Sequence, residues 1–314
     1  MLRIGVVCLL SVALILIAPW VGSTAQIDLT DFIFWKLRAP RVATGVTVGA
    51  TLGLVGASFQ ALFGNPLATP STTGTTAGAA LGALVALVAL PSEGWLREAG
   101  VPILAFSGAI GVSVAISLLA TRKKMHTEDI LLAGIALTLA AGAVTTGLQF
   151  QADLAATYRA VQWSLGSLAQ VGFETTFQLF PLCIISFVGI MTQTRALETM
   201  IFGEEHAYTQ GVNIQRVRTF VLFFGGLGVA STVAWCGPIA FIGLVVPHLV
   251  RMTFGNTRRI LFPLSAVVGA AFLVTCDALG RVVLDGREIP VGVLTALFGA
   301  PMLIFLVVQR RTRS

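Results

Sequence analysis

The chain has 314 residues, 56% of them hydrophobic and only 11% charged, and its mean hydropathy is +0.89. A soluble domain covers itself with roughly 25% charged residues, so this composition excludes a water-soluble globular protein and points to burial in a bilayer. The net charge of +6 comes without a basic groove carrying interleaved aromatics, which excludes a nucleic-acid-binding face.

After Met1-Leu2-Arg3 the first apolar run covers residues 4–21. It reads as an uncleaved first span. A signal peptide cut between Gly22 and Ala25 is the alternative, although no clear small-x-small site follows the run at once. Further charge-free runs lie at 42–63, 71–90, 101–121, 130–150, 175–194, 219–236, 239–250, 260–276 and 289–308. About 20 apolar residues cross the hydrocarbon core, so the predicted fold is all-α: a polytopic transmembrane helical bundle of about ten spans. The run 239–250 is short, and Gly237-Pro238 and Pro247 predict a tilted or broken helix there. Asn65-Pro66 and Gly237-Pro238 are expected to be internal turns buried between helices. The 33 glycines suit close helix–helix contact. Cys8, Cys183, Cys236 and Cys276 lie far apart in apolar runs and read as small buried hydrophobes, not as a disulfide or zinc framework.

Placing the N-terminus in the cytoplasm puts 13 of the 20 basic residues inside and seven outside. The positive-inside rule favours that orientation, with both termini cytoplasmic in the inner (cytoplasmic) membrane.

Six segments carry a resemblance. They are Leu37-Arg38-Ala39-Pro40-Arg41; Gln60 through Pro70, with Gly64-Asn65-Pro66-Leu67-Ala68-Thr69-Pro70; the small-residue run Gly74 to Gly82; Trp163-Ser164-Leu165-Gly166-Ser167; Phe241 through His248; and Pro290 through Pro301. In this order they resemble the FecCD family, the permeases that import iron-siderophores, haem and cobalamin with an ATPase partner. The resemblance covers the chain from about residue 37 to its end. It implies a cobalamin-importer-permease-like fold, with residues 1–314 as one transmembrane permease domain and a coupling loop at about 195–215. It also implies several partners: a second permease subunit, in a homodimer by expectation, two cytoplasmic ATP-binding subunits and an extracytoplasmic substrate-binding protein. The chain is not expected to be an enzyme and needs no cofactor. Its lysines are Lys36, Lys123 and Lys124, none preceded by Gly, so it lacks the phosphate-binding loop G-x-x-x-x-G-K-[ST].

By the same resemblance Arg38, Arg41 and Arg281 dock the binding protein. Charge pairing of this kind steers association and sets orientation, while interfacial anchoring by long basic side chains is the plainer alternative. Asp277, four residues before Arg281, could hold or compete for that arginine. For ATPase coupling the candidates are Glu204, Glu205, His206, Ala207 and Gly211. They match the loose E-A-A-x-x-x-G pattern of importer permeases, with His206 in place of the middle alanine. A solvated loop is the alternative. A cytoplasmic gate and pathway is expected at His126, Thr127, Thr138, Thr145 and Gln149, where small and polar groups either line a wet path or mediate packing.

Three histidines without a short-spaced acidic or cysteine cluster argue against a carrier for bare metal ions. The expected cargo is an iron-siderophore or similar iron chelate, with haem and cobalamin as alternatives. An ion-coupled secondary transporter is the competing class, but such machines place ionisable residues at the bilayer midplane. Here the acidic residues lie in connections or at span ends.

Overall fold

The computed structural model describes residues 2–22, 32–90, 94–122, 127–169, 172–284 and 287–311, the side chains of Arg97 and of 305–311 excepted. Thirteen α-helices run in chain order among the described residues: α1 Leu2–Ile17, α2 Ala39–Leu62, α3 Thr75–Ala89, α4 Trp95–Ala120, α5 Thr127–Gln151, α6 Leu154–Ser164, α7 Phe173–Thr192, α8 Thr194–Thr199, α9 Glu204–Thr209, α10 Ile214–Cys236, α11 Ile242–Phe254, α12 Arg258–Gly280 and α13 Val291–Arg311. Seven helical stretches are long and apolar enough to cross a membrane, and α3, α11 and part of α13 are shorter apolar helices. Each apolar run of the sequence is carried by one of these ten. The remaining three, α6, α8 and α9, lie in the connections.

Helix α2 is the hub. Of its apolar stretch 78% is buried, against 67% for α10 and α12 and 17% for α1 and α5. Its most extensive packing is against α12, and it also meets α7, α10 and α11. Lipid tails give no drive to hide leucine from leucine, so helices close on one another through small residues. Gly49 and Gly53 of α2 face the backbone of Gly269 and Ser265 on α12 so closely that a β-carbon on either would overlap a carbonyl oxygen. Gly78 and Gly82 of α3 meet Gly108 and Leu104 of α4 in the same way, which explains the small-residue run between Gly74 and Gly82.

Local signals set the ends of several helices. Asn213 caps α10 by accepting from the Arg216 N–H, and Asp153 caps α6 by accepting from the Ala156 N–H at 2.6 Å. Pro40 occupies the first turn of α2, where the missing N–H costs nothing. Helical backbone reaches back through a π-helical turn, Phe34–Arg38, so Arg38 and Arg41 stand on helix.

The break between α10 and α11 keeps its place. After Cys236 the chain runs without helix to Phe241, and α11 then spans only 13 residues. Non-helical backbone at membrane depth must be sheltered by protein. Here the Ser167 N–H donates to the Cys236 carbonyl at 2.8 Å, Gly166 packs on the Pro238 carbonyl, and the Gln60 amide donates to the carbonyls of Gly243 and Leu244 at 3.2 Å each. Phe241 opens α11 at φ 68°, the one non-glycine at positive φ among the described residues. Gly299 of α13 has room for no β-carbon beside the Phe241 ring.

The Asn65-Pro66 turn departs from expectation. Asn65 is exposed, and its side chain accepts from the Leu67 N–H at 2.9 Å. An Asx turn satisfies its own backbone, so it needs no burial. Cys183, Cys236 and Cys276 are buried and unbridged, and Cys8 is half-buried.

The seam makes a sharp contrast between glycines. Gly53→Val in α2 is expected to cost about 1–3 kcal/mol or more by forcing α2 from α12, read as a lower Tm in detergent. Gly142→Ala in α5, where nothing lies within 4 Å, should leave Tm unchanged or raised.

Candidate functional site

Two charged clusters stand at opposite ends of the bundle. The first gathers at the start of α2 and the end of α12. Arg38, Arg41 and Arg281 are all buried, at 8%, 8% and 6% exposure. Both Asp277 carboxylate oxygens accept from the Arg41 Nε at 2.9 Å, and Glu288 accepts from Arg41 Nη1 at 2.7 Å. Arg281, one turn after Asp277, reaches the same carboxylate at 3.4 Å and donates to the Ala18 carbonyl at 3.0 Å. Arg38 donates to the Pro19 carbonyl at 3.2 Å. The three arginines nominated by sequence are therefore brought together, and Asp277 holds two of them at once. Burial lowers the Arg281 guanidinium from its ordinary value, and Asp277 opposes that shift. Nη1 of Arg281 is buried with no acceptor among the described residues. Glu288, by contrast, is half-exposed.

The second cluster lies at the other end, in the connection between α7 and α10. Gly203, at φ 105°, turns the chain into the short helix α9, and Gly211, at φ 79°, turns it out again. Both conformations suit glycine. Ala207 is fully buried and accepts from the Val212 N–H at 3.0 Å, which pins α9 against the bundle. Glu205 and His206 are exposed. Glu204 instead turns toward the bundle, where its carboxylate pairs with Arg218 of α10 and accepts from the Thr127 hydroxyl at 3.1 Å. Glu198 of α8 is likewise used internally: it accepts from the Arg258 N–H at 2.7 Å and so caps α12.

Sequence reasoning missed two features of this end. Phe202, just before α9, and Tyr208, within it, are 73% and 76% exposed. The Phe202 ring sits edge-on to His206 with centroids 5.7 Å apart. Aromatics carry no charge pattern, and only the fold exposes them. Arg218 was legible merely as a basic residue near a span end.

Four of the expected pathway residues lie on α5, which with α1 has the least cover from its own chain. Thr127 is its first residue, and His126 lies outside the described residues. Thr138 and Thr145 are half-buried and donate to the carbonyls of Gly134 and Ala141 at 2.8 Å each. Gln149 is also half-buried, while Thr146, Gly142 and Gly147 are exposed. Among the described residues no three of His, Cys, Asp and Glu converge as metal ligands.

The model of the FecCD transport family matches residues 3–309. The vitamin B12 import system permease of Vibrio cholerae serotype O1 is 33% identical over 287 residues, covering 91% of this chain and 86% of the relative. The hemin transport system permease of Yersinia pestis is 33% identical over 294 residues, covering 92% and 87%. The Fe(3+) dicitrate transport system permease FecD of Escherichia coli K12 is 34% identical over 280 residues, covering 89% and 86%. Among solved structures, an inward-facing ABC transporter of metal-chelate type superposes with a TM-score of 0.89 at 28% identity, covering 98% of this chain and 99% of that one.

The two carboxylates of the first cluster differ in burial, and so should their substitutions. Asp277→Asn strands buried arginines and is expected to cost about 3–5 kcal/mol. Glu288→Gln, at a half-exposed position, should cost about 1 kcal/mol or less. Thermal unfolding in detergent compares them.

Proposed function

The chain belongs to the FecCD transport family, and from that premise we propose that it is the permease through which an iron-siderophore or similar iron chelate crosses the cytoplasmic membrane. Its relatives are membrane permease subunits of ATP-driven importers for vitamin B12, haem or iron chelates, and this chain is a permease of that kind. Within that range the iron chelate is favoured by the dicitrate relative and by the metal-chelate structural neighbour. A haem or cobalamin cargo is the second reading, favoured by relatives that match equally well.

The assembly follows from the two ends. We assign the Arg218 end to the cytoplasm, with both termini, and the Arg41 end to the outside. On that assignment α9 is the element that enters an ATPase subunit, and one observation carries it: a short helix pinned by Ala207 presents Glu205, His206, Tyr208 and neighbouring Phe202 outward. Exposed aromatics beside charge are the residues that dominate interface energies. Glu204 pairs with Arg218 but keeps 47% of its side chain exposed, so it stays with Glu205, His206, Ala207 and Gly211 among the coupling residues.

At the outer end Arg38, Arg41 and Arg281 serve a substrate-binding protein. Arg41 is paired with half-exposed Glu288, and Nη1 of Arg281 still lacks an acceptor among the described residues. An acidic side chain of the binding protein can replace half-exposed Glu288 on Arg41 and complete Arg281. A second copy of the permease covers α5, whose apolar and small residues are left open. Thr138, Thr145 and Gln149 then flank a path between the copies.

Reconstitution tests the whole reading. Liposomes holding the permease, its ATPase subunit and its binding protein are expected to take up a labelled ferric siderophore only with internal ATP. Uptake that follows a proton or sodium gradient without ATP overturns it, and uptake of haemin or cyanocobalamin instead selects the second cargo. Phe202→Ala and Tyr208→Ala are each expected to weaken ATPase association by about tenfold or more, measured by titrating the ATPase subunit onto the permease in nanodiscs.

A further inference from the structure

The coupling helix and the helix that flanks the path share little direct packing; α9 rests on α8, on the turn before it and on α10. What joins them is a single buried cation. Arg218, on the second turn of α10, is 4% exposed. Its Nη2 donates to the Thr127 hydroxyl at 2.6 Å and to the Glu204 carboxylate, and the Thr127 hydroxyl in turn donates to the same Glu204 oxygen at 3.1 Å. Three helices thus meet at one node: α9 through Glu204, α10 through Arg218 and α5 through its first residue, Thr127. From these contacts we infer that Arg218 is the positioning residue through which displacement of α9 reaches the cytoplasmic end of α5.

The physical grounds are geometric and electrostatic. A charge-assisted hydrogen bond is about twice as strong as a neutral one, and here its cationic partner is buried while the carboxylate is half-exposed. If α9 moves with Glu204, the guanidinium must follow or give up its bond to that carboxylate, and breaking an ion pair of a buried cation is costly. Because the same Nη2 holds Thr127, that movement is passed to the first turn of α5. The opposite flank is closed differently. Gln215, also on α10, reaches the Arg122 carbonyl at the end of α4 at 3.4 Å with a neutral amide, a far weaker tie. Helix α4 is held to α10 by extensive packing along its length instead. Coupling between sites requires a physical element that both of them bias, and the hydrogen-bonded triad supplies one.

This inference rests on the reading of α9 as the ATPase-contacting helix, and the test separates the two. A nitroxide is attached at Glu128→Cys, an exposed position in the first turn of α5, in a chain whose four native cysteines are replaced by alanine. The full importer in liposomes is then locked with MgATP and vanadate, and the change in label mobility is recorded. With Arg218 present the label is expected to respond. Arg218→Gln should cut that response by about fivefold or more, the lower bound of typical coupling energies, while the ATPase subunit still co-purifies. Arg218→Lys should restore part of it. Thr127→Val, which removes only a hydroxyl and keeps the shape, should cut the response as well and guards against a folding defect at Arg218. Glu204→Gln combined with Arg218→Gln should be no worse than Arg218→Gln alone. An undiminished response in both Arg218→Gln and Thr127→Val overturns the node. A label that is silent even with Arg218 in place removes the α9 reading and the node with it.

Discussion

In a bilayer, backbone must lie against backbone without the help of water, and in this chain that requirement falls on α2. A helix surrounded by α7, α10, α11 and α12 meets its nearest neighbour through small residues. Gly49 and Gly53 therefore meet Gly269 and Ser265 at carbonyl distance, and dispersion between closely set main chains replaces the hydrophobic drive that lipid removes. The rest of the architecture is arranged around this seam. One end is tied by Arg41 of α2 and Asp277 of α12. Near its other end Gln60 of α2 accepts from Arg251 of α11 at 2.9 Å while its amide supports the opening of that helix.

The two ends use buried charge in different ways. At the Arg41 end a carboxylate with 3% of its side chain exposed holds two arginines in place, and a half-exposed one pairs with Arg41 as well. A deeply held anion fixes its arginines, and an accessible anion is exchangeable. At the Arg218 end one guanidinium is shared between a carboxylate and a hydroxyl from separate helices. Such an arrangement joins separate helices, where the Arg41 cluster ties the ends of one helix pair.

The bundle itself was legible because the length of an apolar run is nearly a direct reading of a span. Each of the ten runs became a helix, and the break at Gly237-Pro238 was found because proline and glycine punctuate any helix. What escaped was set by tertiary contact. Arg38 and Arg41 look like the charged margin of a span, yet they lie on helix and inside the protein. Arg218 finds its hydroxyl partner 91 residues away, a distance no local pattern encodes. Asn65 was misread because the rule that buried backbone must be satisfied does not say whether a neighbouring helix or the residue's own side chain will satisfy it. The capped helix α6 was missed although Asp153 before Leu154-Ala155-Ala156 is a recognisable start.

Phe241 and Gly299 show what a strained corner imposes over longer times. A bulky residue in the left-handed region gives up about 1–2 kcal/mol, and here the ring regains contact by lying where α13 has no side chain. Glycine at 241 would relax the backbone and leave a hollow beside 299; a larger residue at 299 would evict the ring. Neither position has an easy single step away from its present state. The two positions are therefore interlocked, and the turn that opens α11 tolerates a change at one only with a matching change at the other.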